Sequence, residues 1–176
     1  SKLAQIYQSI AEEVADESLA LSYWIRLAEL QERLANVGAS AAAYEKALTI
    51  DPAHAPVLGA MDALFRGAER WQDLVGVYRK RIELGGDPAD IEQLYSEMAE
   101  VLEVQLEKPE EAVSAYQEVL GQLPASQRAL VALEQLFTKL QLWEELASNL
   151  EAQLMLAESE EDVVGLTLRL ASLREQ

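Results

Sequence analysis

The chain has 176 residues, no cysteine, and a formal net charge of −17 that results from 31 acidic and 14 basic residues. A surface this acidic repels the phosphates of nucleic acids and anionic lipids, so neither is an expected partner, and a chain without cysteine has neither disulfides nor thiolate metal sites. No stretch approaches the ~18 uninterrupted apolar residues of a membrane span and no secretory signal is recognisable, so we expect a cytoplasmic location.

Helical apolar spacing runs along the whole chain and is interrupted by proline and capping residues. In the segment that begins at Trp71, apolar residues recur at i, i+3, i+4 and i+7, which is one stripe of an amphipathic helix. No run of strict alternation predicts a strand. Ten helices are predicted, near residues 3–15, 18–35, 39–50, 54–67, 70–84, 88–106, 109–122, 126–140, 143–157 and 160–175.

Three polar residues stand where helices are predicted to begin. Ser126 and Ser159 are placed to cap the helices that follow them, because a hydroxyl can accept a hydrogen bond from the first turn. Parts of the chain repeat with a shift of 72 positions, and this shift aligns His54, the only histidine, with Ser126. We therefore interpret His54 as a capping or solvent-facing residue rather than a ligand or a base.

The chain repeats itself with a long and nearly constant period. Residues 42–74 reappear at 114–146, a shift of 72 positions, with Tyr44 matching Tyr116 and Phe65 matching Phe137. A second block begins at Leu3, Leu74 and Leu146, so its copies are spaced by 71 and then by 72 positions. We place this difference of one in the loop at 34–41, whose counterpart is 106–113. A fixed period of this kind indicates a solenoid, in which each unit buries its apolar face against its neighbours.

Part of the repeat resembles a known family. The stretch from Trp24 to Pro52 is similar to the tetratricopeptide repeat, with Leu27-Ala28 at the leucine–small pair, Tyr44 at the second-helix aromatic and Ala47 at the small close-packing position. Residues 110–124 resemble the second helix of another such repeat. The alternate hairpins, 54–84 and 126–157, keep the helices but lose most of the consensus, so a half-tetratricopeptide (HAT) array is a competing interpretation.

This resemblance implies an all-α, right-handed solenoid of antiparallel helix hairpins, with two hairpins in each long repeat and about 36 residues in each hairpin. We expect one domain over residues 1–176 that is a segment of a longer array, because neither end has the polar cap of a solenoid. Trp24, Trp71 and Trp143 lie on apolar stripes and are predicted to fill the wedges between hairpins.

No motif in the chain predicts catalysis, a cofactor or a metal site. Serines have no histidine beside them in a nucleophile motif, and there is no glycine-rich phosphate loop or EF-hand pattern. Gly85-Gly86 before Asp87-Pro88 indicates a helix stop. We therefore predict that the chain is not an enzyme.

The family resemblance implies a concave groove lined by the first helix of each hairpin. Carried over to this chain, the groove residues are Ser22, Ile25, Arg26, Glu29 and Glu32 in the first repeat, Gln93, Ser96, Glu97, Glu100 and Glu103 in the third hairpin, and Leu168, Arg169 and Ser172 at the end. The lysines and asparagines with which some members clamp a terminal carboxylate are missing at these positions.

These observations predict a protein-interaction scaffold whose acidic groove holds a peptide or helix of a basic or mixed-charge partner. The acidity has a second interpretation, which is that it only keeps the chain soluble. Two other roles remain open: a regulatory arm of a larger protein, such as an enzyme or a transcription regulator, and an architectural element that self-associates through its uncapped ends.

Overall fold

The computed structural model describes residues 1–174, and within that range the chain forms α-helices and no β-strand. The helices are α1 Lys2–Glu13, α2 Glu17–Arg33, α3 Val37–Ile50, α4 Ala55–Gly67, α5 Trp71–Glu83, α6 Pro88–Glu100, α7 Pro109–Gln122, α8 Gln127–Leu140, α9 Trp143–Leu156 and α10 Glu160–Arg174. Every described end lies within two residues of the predicted one, apart from the end of α6. The predicted all-helical fold is confirmed; residue 175, the predicted end of the last helix, lies outside the described residues.

The chain is built as two compact units of five helices. Unit 1 is Ser1–Leu84 and holds α1 to α5; unit 2 begins at Gly85 and holds α6 to α10. Within each unit every helix packs against the next one along the chain. We call α2, α4, α6, α8 and α10 first helices, and α3, α5, α7 and α9 the second helices of the hairpins that they complete.

Side-chain hydrogen bonds cap the first turns of three helices at the residues that were predicted to do so. The Ala129 amide donates to Ser126 Oγ at 3.1 Å, and the Asp162 amide donates to Ser159 Oγ at 3.0 Å. The imidazole of His54 does the same work for α4, since its Nδ1 accepts from the Val57 amide at 3.3 Å. The predicted capping role of His54 is therefore confirmed, and the glycine stop is reached at Gly85, where φ is +76°.

Small residues and aromatic rings make the core between α2 and α3. Ala28 and Ala47 are completely buried, which lets the two helices approach closely, and Trp24 and Tyr44 are buried beside them. Trp24 thus fills the wedge as predicted, and Trp71 is half-buried. The prediction that Trp143 fills such a wedge is wrong, because this residue is 44% exposed. It begins α9 at the edge of an open cavity of about 460 Å³ toward α10, so its ring does not fill a wedge between helices.

The repeat spacing changes from 71 to 72 because of one extra residue. That residue lies inside a helix, and not in the loop at 106–113 where it was expected. After α6 the chain makes a π-helical segment, Val101–Gln105, in which the Leu106 amide donates to the Val101 carbonyl five residues earlier. A π turn holds one more residue than an α turn. The loops that follow, residues 34–36 and 106–108, are consequently equal in length, and Ala35 and Glu107 have matching φ values of +53° and +54°.

None of the helices described in residues 1–174 is long and apolar enough to cross a membrane.

Candidate partner-binding faces

The predicted groove residues lie on the first helices, α2 in unit 1 and α6 and α10 in unit 2, except Glu103, which lies in the π-helical segment after α6. Arg26, Glu29 and Glu32 are exposed on α2 and Ile25 is half-buried. The guanidinium of Arg26 lies over the ring of Tyr23, 5.5 Å from its centroid. We call these exposed surfaces the first-helix faces of the two units.

In unit 1, two glutamates surround a buried tyrosine. Tyr44 of α3 is 3% exposed and lies beside Glu32, whose carboxylate accepts from Ser40 Oγ at 3.5 Å. Burial raises the pKa of Tyr44 strongly, and the charges of Glu32 and Glu29 raise it further. The phenol therefore stays protonated at neutral pH.

Unit 2 repeats the residues of this arrangement around a tyrosine that is half-buried. Tyr116 of α7 is the repeat equivalent of Tyr44, and Glu100 and Glu103 are the repeat equivalents of Glu29 and Glu32. The pKa of Tyr116 is raised, first by burial; the positive charge of Arg128 opposes that rise, and the charges of Glu103 and Glu100 add to it. We call the two arrangements the tyrosine–glutamate clusters.

The clusters differ in the cations beside them. In unit 2 the Lys139 Nζ of α8 lies 2.9 Å from Glu103 Oε1. The unit 1 equivalents of Lys139 and Arg128 are Gly67 and Pro56, which carry no charge. Among the described residues, neither Glu29 nor Glu32 forms an ion pair, so the carboxylates of the unit 1 cluster are uncompensated.

Polar bridges connect the first helices of unit 2. Arg128 Nη1 of α8 donates to Gln93 Oε1 of α6 at 2.5 Å, and Gln93 Nε2 donates in turn to Glu97 at 2.7 Å. Ser126 donates to Glu92 between the same two helices. Between α8 and α10, Arg169 is paired with Glu134. The face of α6, α8 and α10 therefore carries positive as well as negative side chains that are connected by hydrogen bonds and ion pairs, and it is not lined by acids alone.

The structure also shows which residues sequence reasoning placed wrongly or missed. Ser96 is buried, and its hydroxyl donates to the Glu92 carbonyl at 2.8 Å, so it cannot line a groove. Leu168 and Ser172 are exposed as expected. Arg128, Glu134 and Lys139 were missed, because the family positions were carried over to α2, α6 and α10 but not to α8. The repeat contained the signal, because Glu134 is the repeat equivalent of Asp62 and each contacts the following second helix. Asp62 is ion-paired with Arg81 of α5 at 3.6 Å, and Glu134 accepts from Gln153 Nε2 of α9 at 2.8 Å.

No metal centre accompanies these faces in the described part of the chain. Although carboxylates are abundant, residues 1–174 contain no group of three or more histidine, cysteine, aspartate or glutamate side chains that could hold a metal ion. The residues of the faces are arranged to form hydrogen bonds and ion pairs.

Comparison with known proteins agrees with this architecture. Residues 21–54, which cover most of α2 and all of α3, match the family model of the tetratricopeptide repeat. The chain is similar in structure to a tetratricopeptide repeat protein from Parabacteroides merdae ATCC 43184, with 16% identity and a TM-score of 0.52 over 88% of this chain and 60% of that one. It is also similar to Pseudomonas aeruginosa PilF, with 16% identity and a TM-score of 0.50 over 99% of this chain and 83% of that one.

A third similar structure is MamA, with 12% identity and a TM-score of 0.50 over 86% of this chain and 85% of that one. No curated protein matches the chain in sequence. Identities this low establish similarity of fold alone. With the family-model match they confirm that this is a helical-repeat protein with a tetratricopeptide-like fold, as the spacing from Trp24 to Pro52 predicted.

Proposed function

We propose that this chain is a non-catalytic scaffold that captures a peptide or helix of a basic or mixed-charge partner protein on its first-helix faces. The observation that carries the proposal is the repeated tyrosine–glutamate cluster. Each copy presents two carboxylates about one helical turn apart, and in unit 1 no cation among the described residues balances them. Two unbalanced carboxylates on a rigid helix are a ready acceptor for a lysine or arginine side chain.

The rigidity of the clusters supports this function. Glu32 accepts a hydrogen bond from the buried Ser40 and lies beside the buried Tyr44. A carboxylate that is already oriented loses little side-chain entropy when a partner binds, so more of the interaction energy appears as affinity. The surrounding negative charge of the chain would accelerate encounter with basic partners and make it salt-dependent.

Unit 2 favours a partner that carries both charges. Glu97 and Glu100 remain without an ion pair among the described residues, whereas Glu103 is paired with Lys139 and Glu134 with Arg169. A partner acid could compete for Arg169 or Lys139 while a partner base meets Glu97 and Glu100. The unit 1 cluster therefore supplies most of the attraction for bases in this proposal.

An assembly role is the second candidate, and it is favoured by apolar surface on the outer helices. Leu3 and Ile6 of α1 are exposed, whereas their repeat equivalents on α5, Leu74 and Val77, are buried. Leu168 of α10 is exposed as well. Apolar surface of this kind can be covered by further repeats or by a second copy. Light scattering over a range of protein concentrations tests this role, which predicts that the mass rises with concentration.

The test of the scaffold function is partner capture by matched baits. The immobilised chain, the E29Q/E32Q variant and an E12Q/E13Q control are exposed to lysate of the source cell and eluted with a salt step. Glu12 and Glu13 are exposed on α1, so the control removes the same charge away from the clusters. We expect the recovery of basic partners to fall about tenfold with E29Q/E32Q, the effect of removing a charge-assisted contact, and to stay unchanged with the control. Equal loss from both variants would contradict a specific cluster.

A further inference from the structure

A second pair of repeated sites lies on the other set of helices. Each unit has a groove between two adjacent second helices, with a first helix as its floor: α3, α4 and α5 in unit 1, and α7, α8 and α9 in unit 2. Every residue that lines the unit 2 groove is the repeat equivalent of a lining residue of the unit 1 groove. The cavities measure about 460 Å³ in unit 2 and about 280 Å³ in unit 1. We call them the second-helix grooves.

The floors of the two grooves are alike. Leu130, Leu133 and Phe137 of α8 form the floor in unit 2, and all three are buried. Their equivalents in unit 1 are Leu58, Met61 and Phe65 of α4, which are also buried. An apolar floor that is repeated in this way is expected of the fold, and alone it would make the two grooves equivalent.

The charges on the rims differ. In unit 1, Asp73 is paired with Arg70 at 2.7 Å, and the rim also carries one further acid, the exposed Glu45, and one further cation, Lys80. In unit 2, Glu144 and Glu145 are exposed on the rim and form no ion pair among the described residues. The positions of Arg70 and Lys80 are occupied there by Leu142 and Ala152. The unit 1 rim is thus balanced, whereas the unit 2 rim carries two uncompensated acids.

A buried amide also distinguishes the unit 2 groove. Asn149 replaces Val77 in the wall and is only 6% exposed. Its Oδ1 accepts from Gln153 Nε2 at 2.8 Å; this nitrogen also donates to a Glu134 carboxylate oxygen, which identifies it as the amide NH₂ of Gln153. The Asn149 NH₂ forms no hydrogen bond within the described residues, yet it is not sealed from solvent. Because Asn149 lines the groove, this amide is a donor that a ligand there can use.

We propose that the second-helix groove of unit 2 binds an extended segment of a partner protein that carries an apolar side chain next to a lysine or arginine. The apolar side chain rests on Leu130, Leu133 and Phe137, and the cation meets Glu144 and Glu145. A backbone carbonyl of the segment accepts from the Asn149 amide. The segment is extended because the carbonyls of a helix are already occupied by intrahelical bonds. This site shares no residue with the tyrosine–glutamate clusters, so it does not rest on the function proposed above.

The experiment titrates the full chain with a defined probe and observes the methyl groups by NMR. The probe is a short, acetylated and amidated peptide with one phenylalanine, flanking arginines and a proline that keeps it extended. We expect saturable shifts of the Leu130 and Leu133 methyls and none at Leu58 or Met61. Peptides with alanine in place of phenylalanine, or glutamate in place of arginine, should not produce these shifts.

Two variants of the protein separate the contacts. E144Q/E145Q removes the charge from exposed positions and should lower the affinity for the probe peptide about tenfold. N149V reproduces the unit 1 residue and should weaken it about three- to tenfold, the effect of one hydrogen bond. The matched E12Q/E13Q control removes the same charge from exposed positions of α1, away from both grooves, and should leave the affinity for the probe unchanged.

Equal shifts in both grooves, or no shift at Leu130 and Leu133 at millimolar peptide, would overturn the proposal. Unchanged affinity in E144Q/E145Q would do so as well, since the two acids would then serve only the first turn of α9.

Discussion

Tyr44 and Tyr116 show how a single repeated residue links the core to the surface. Each ring is packed in its unit while its hydroxyl lies close to two carboxylates of the preceding first helix. The ring contributes apolar burial, and the hydroxyl lies near carboxylates at the surface. One side chain therefore stabilises the hairpin and prepares the surface that we propose for binding.

The raised pKa of Tyr44 predicts a loss of stability in alkali. An unfolded tyrosine ionises near its ordinary pKa of 10.0, whereas the folded Tyr44 keeps its proton above that value. Its contribution is therefore complete below pH 10.0 and decreases as the pH rises above it, because the unfolded state then binds fewer protons. Urea unfolding at neutral pH and above pH 10 should show a smaller alkaline decrease for Y44F than for the unchanged chain.

At neutral pH, Y44F should change the free energy of unfolding by less than about 1.5 kcal/mol, because it keeps the buried ring and removes only one polar group. The Y116F variant should show the same direction of alkaline change, because the pKa of Tyr116 is raised too. A Y44F curve parallel to that of the unchanged chain at all pH values would contradict the assignment.

At the scale of elements, the π-helical segment Val101–Gln105 explains the irregular period. Unit 1 reaches its three-residue loop directly from α2, whereas unit 2 inserts one residue before the equivalent loop. A π turn absorbs that residue locally, so the faces before and after it keep their partners. Val101 and Leu102 are buried and Glu103 reaches Lys139 from the same segment, while Val104 is exposed.

This account predicts that deletion of Val104 is tolerated. The segment can then close as an α turn like the one in unit 1, and the cost in unfolding free energy should stay below about 2 kcal/mol, within the range of ordinary point mutations. Deletion of Gln117 in α7 is the matched comparison, because it turns all following residues of that helix by about 100° and removes Val119 from the core. Denaturant unfolding of both variants measures the difference, and equal costs would refute the π-turn explanation.

At the scale of the whole molecule, the net charge of −17 dominates the electrostatics. The ion pairs that the structure shows, such as Lys108–Glu111 and Arg70–Asp73, have partly exposed side chains, and pairs of that kind contribute little each. Repulsion between the remaining acids opposes compaction over distances up to the Debye length.

Moderate salt should therefore stabilise the chain. Between low ionic strength and about 0.3 M NaCl, where the Debye length falls to roughly 5–6 Å, the melting temperature should rise by a few degrees, as expected for a change of about 1 kcal/mol in a chain of this size. Circular dichroism at several salt concentrations measures it. Sodium sulfate also strengthens apolar burial, so a rise in sulfate without one in chloride would contradict the charge explanation.

Helix content and position were determined by the sequence alone, because apolar periodicity, prolines and capping residues act over a few neighbouring residues. The repeat of Tyr44 at Tyr116 and the cap at Ser126 are local patterns that can be read without coordinates. The tertiary structure decided what no local pattern contains: that Ser96 is buried, that Trp143 is not, and that the extra residue forms a π turn.

The tertiary structure also decided which charges meet. Glu103 and Lys139 are far apart in the chain, as Glu134 and Arg169 are, and only the packing of successive first helices brings them together. The same packing leaves Glu29, Glu32, Glu144 and Glu145 without a cation among the described residues. Periodicity determines which face of its helix a residue occupies. Whether the charge of that residue is neutralised depends on the side chains of the neighbouring helix, and those side chains differ between unit 1 and unit 2.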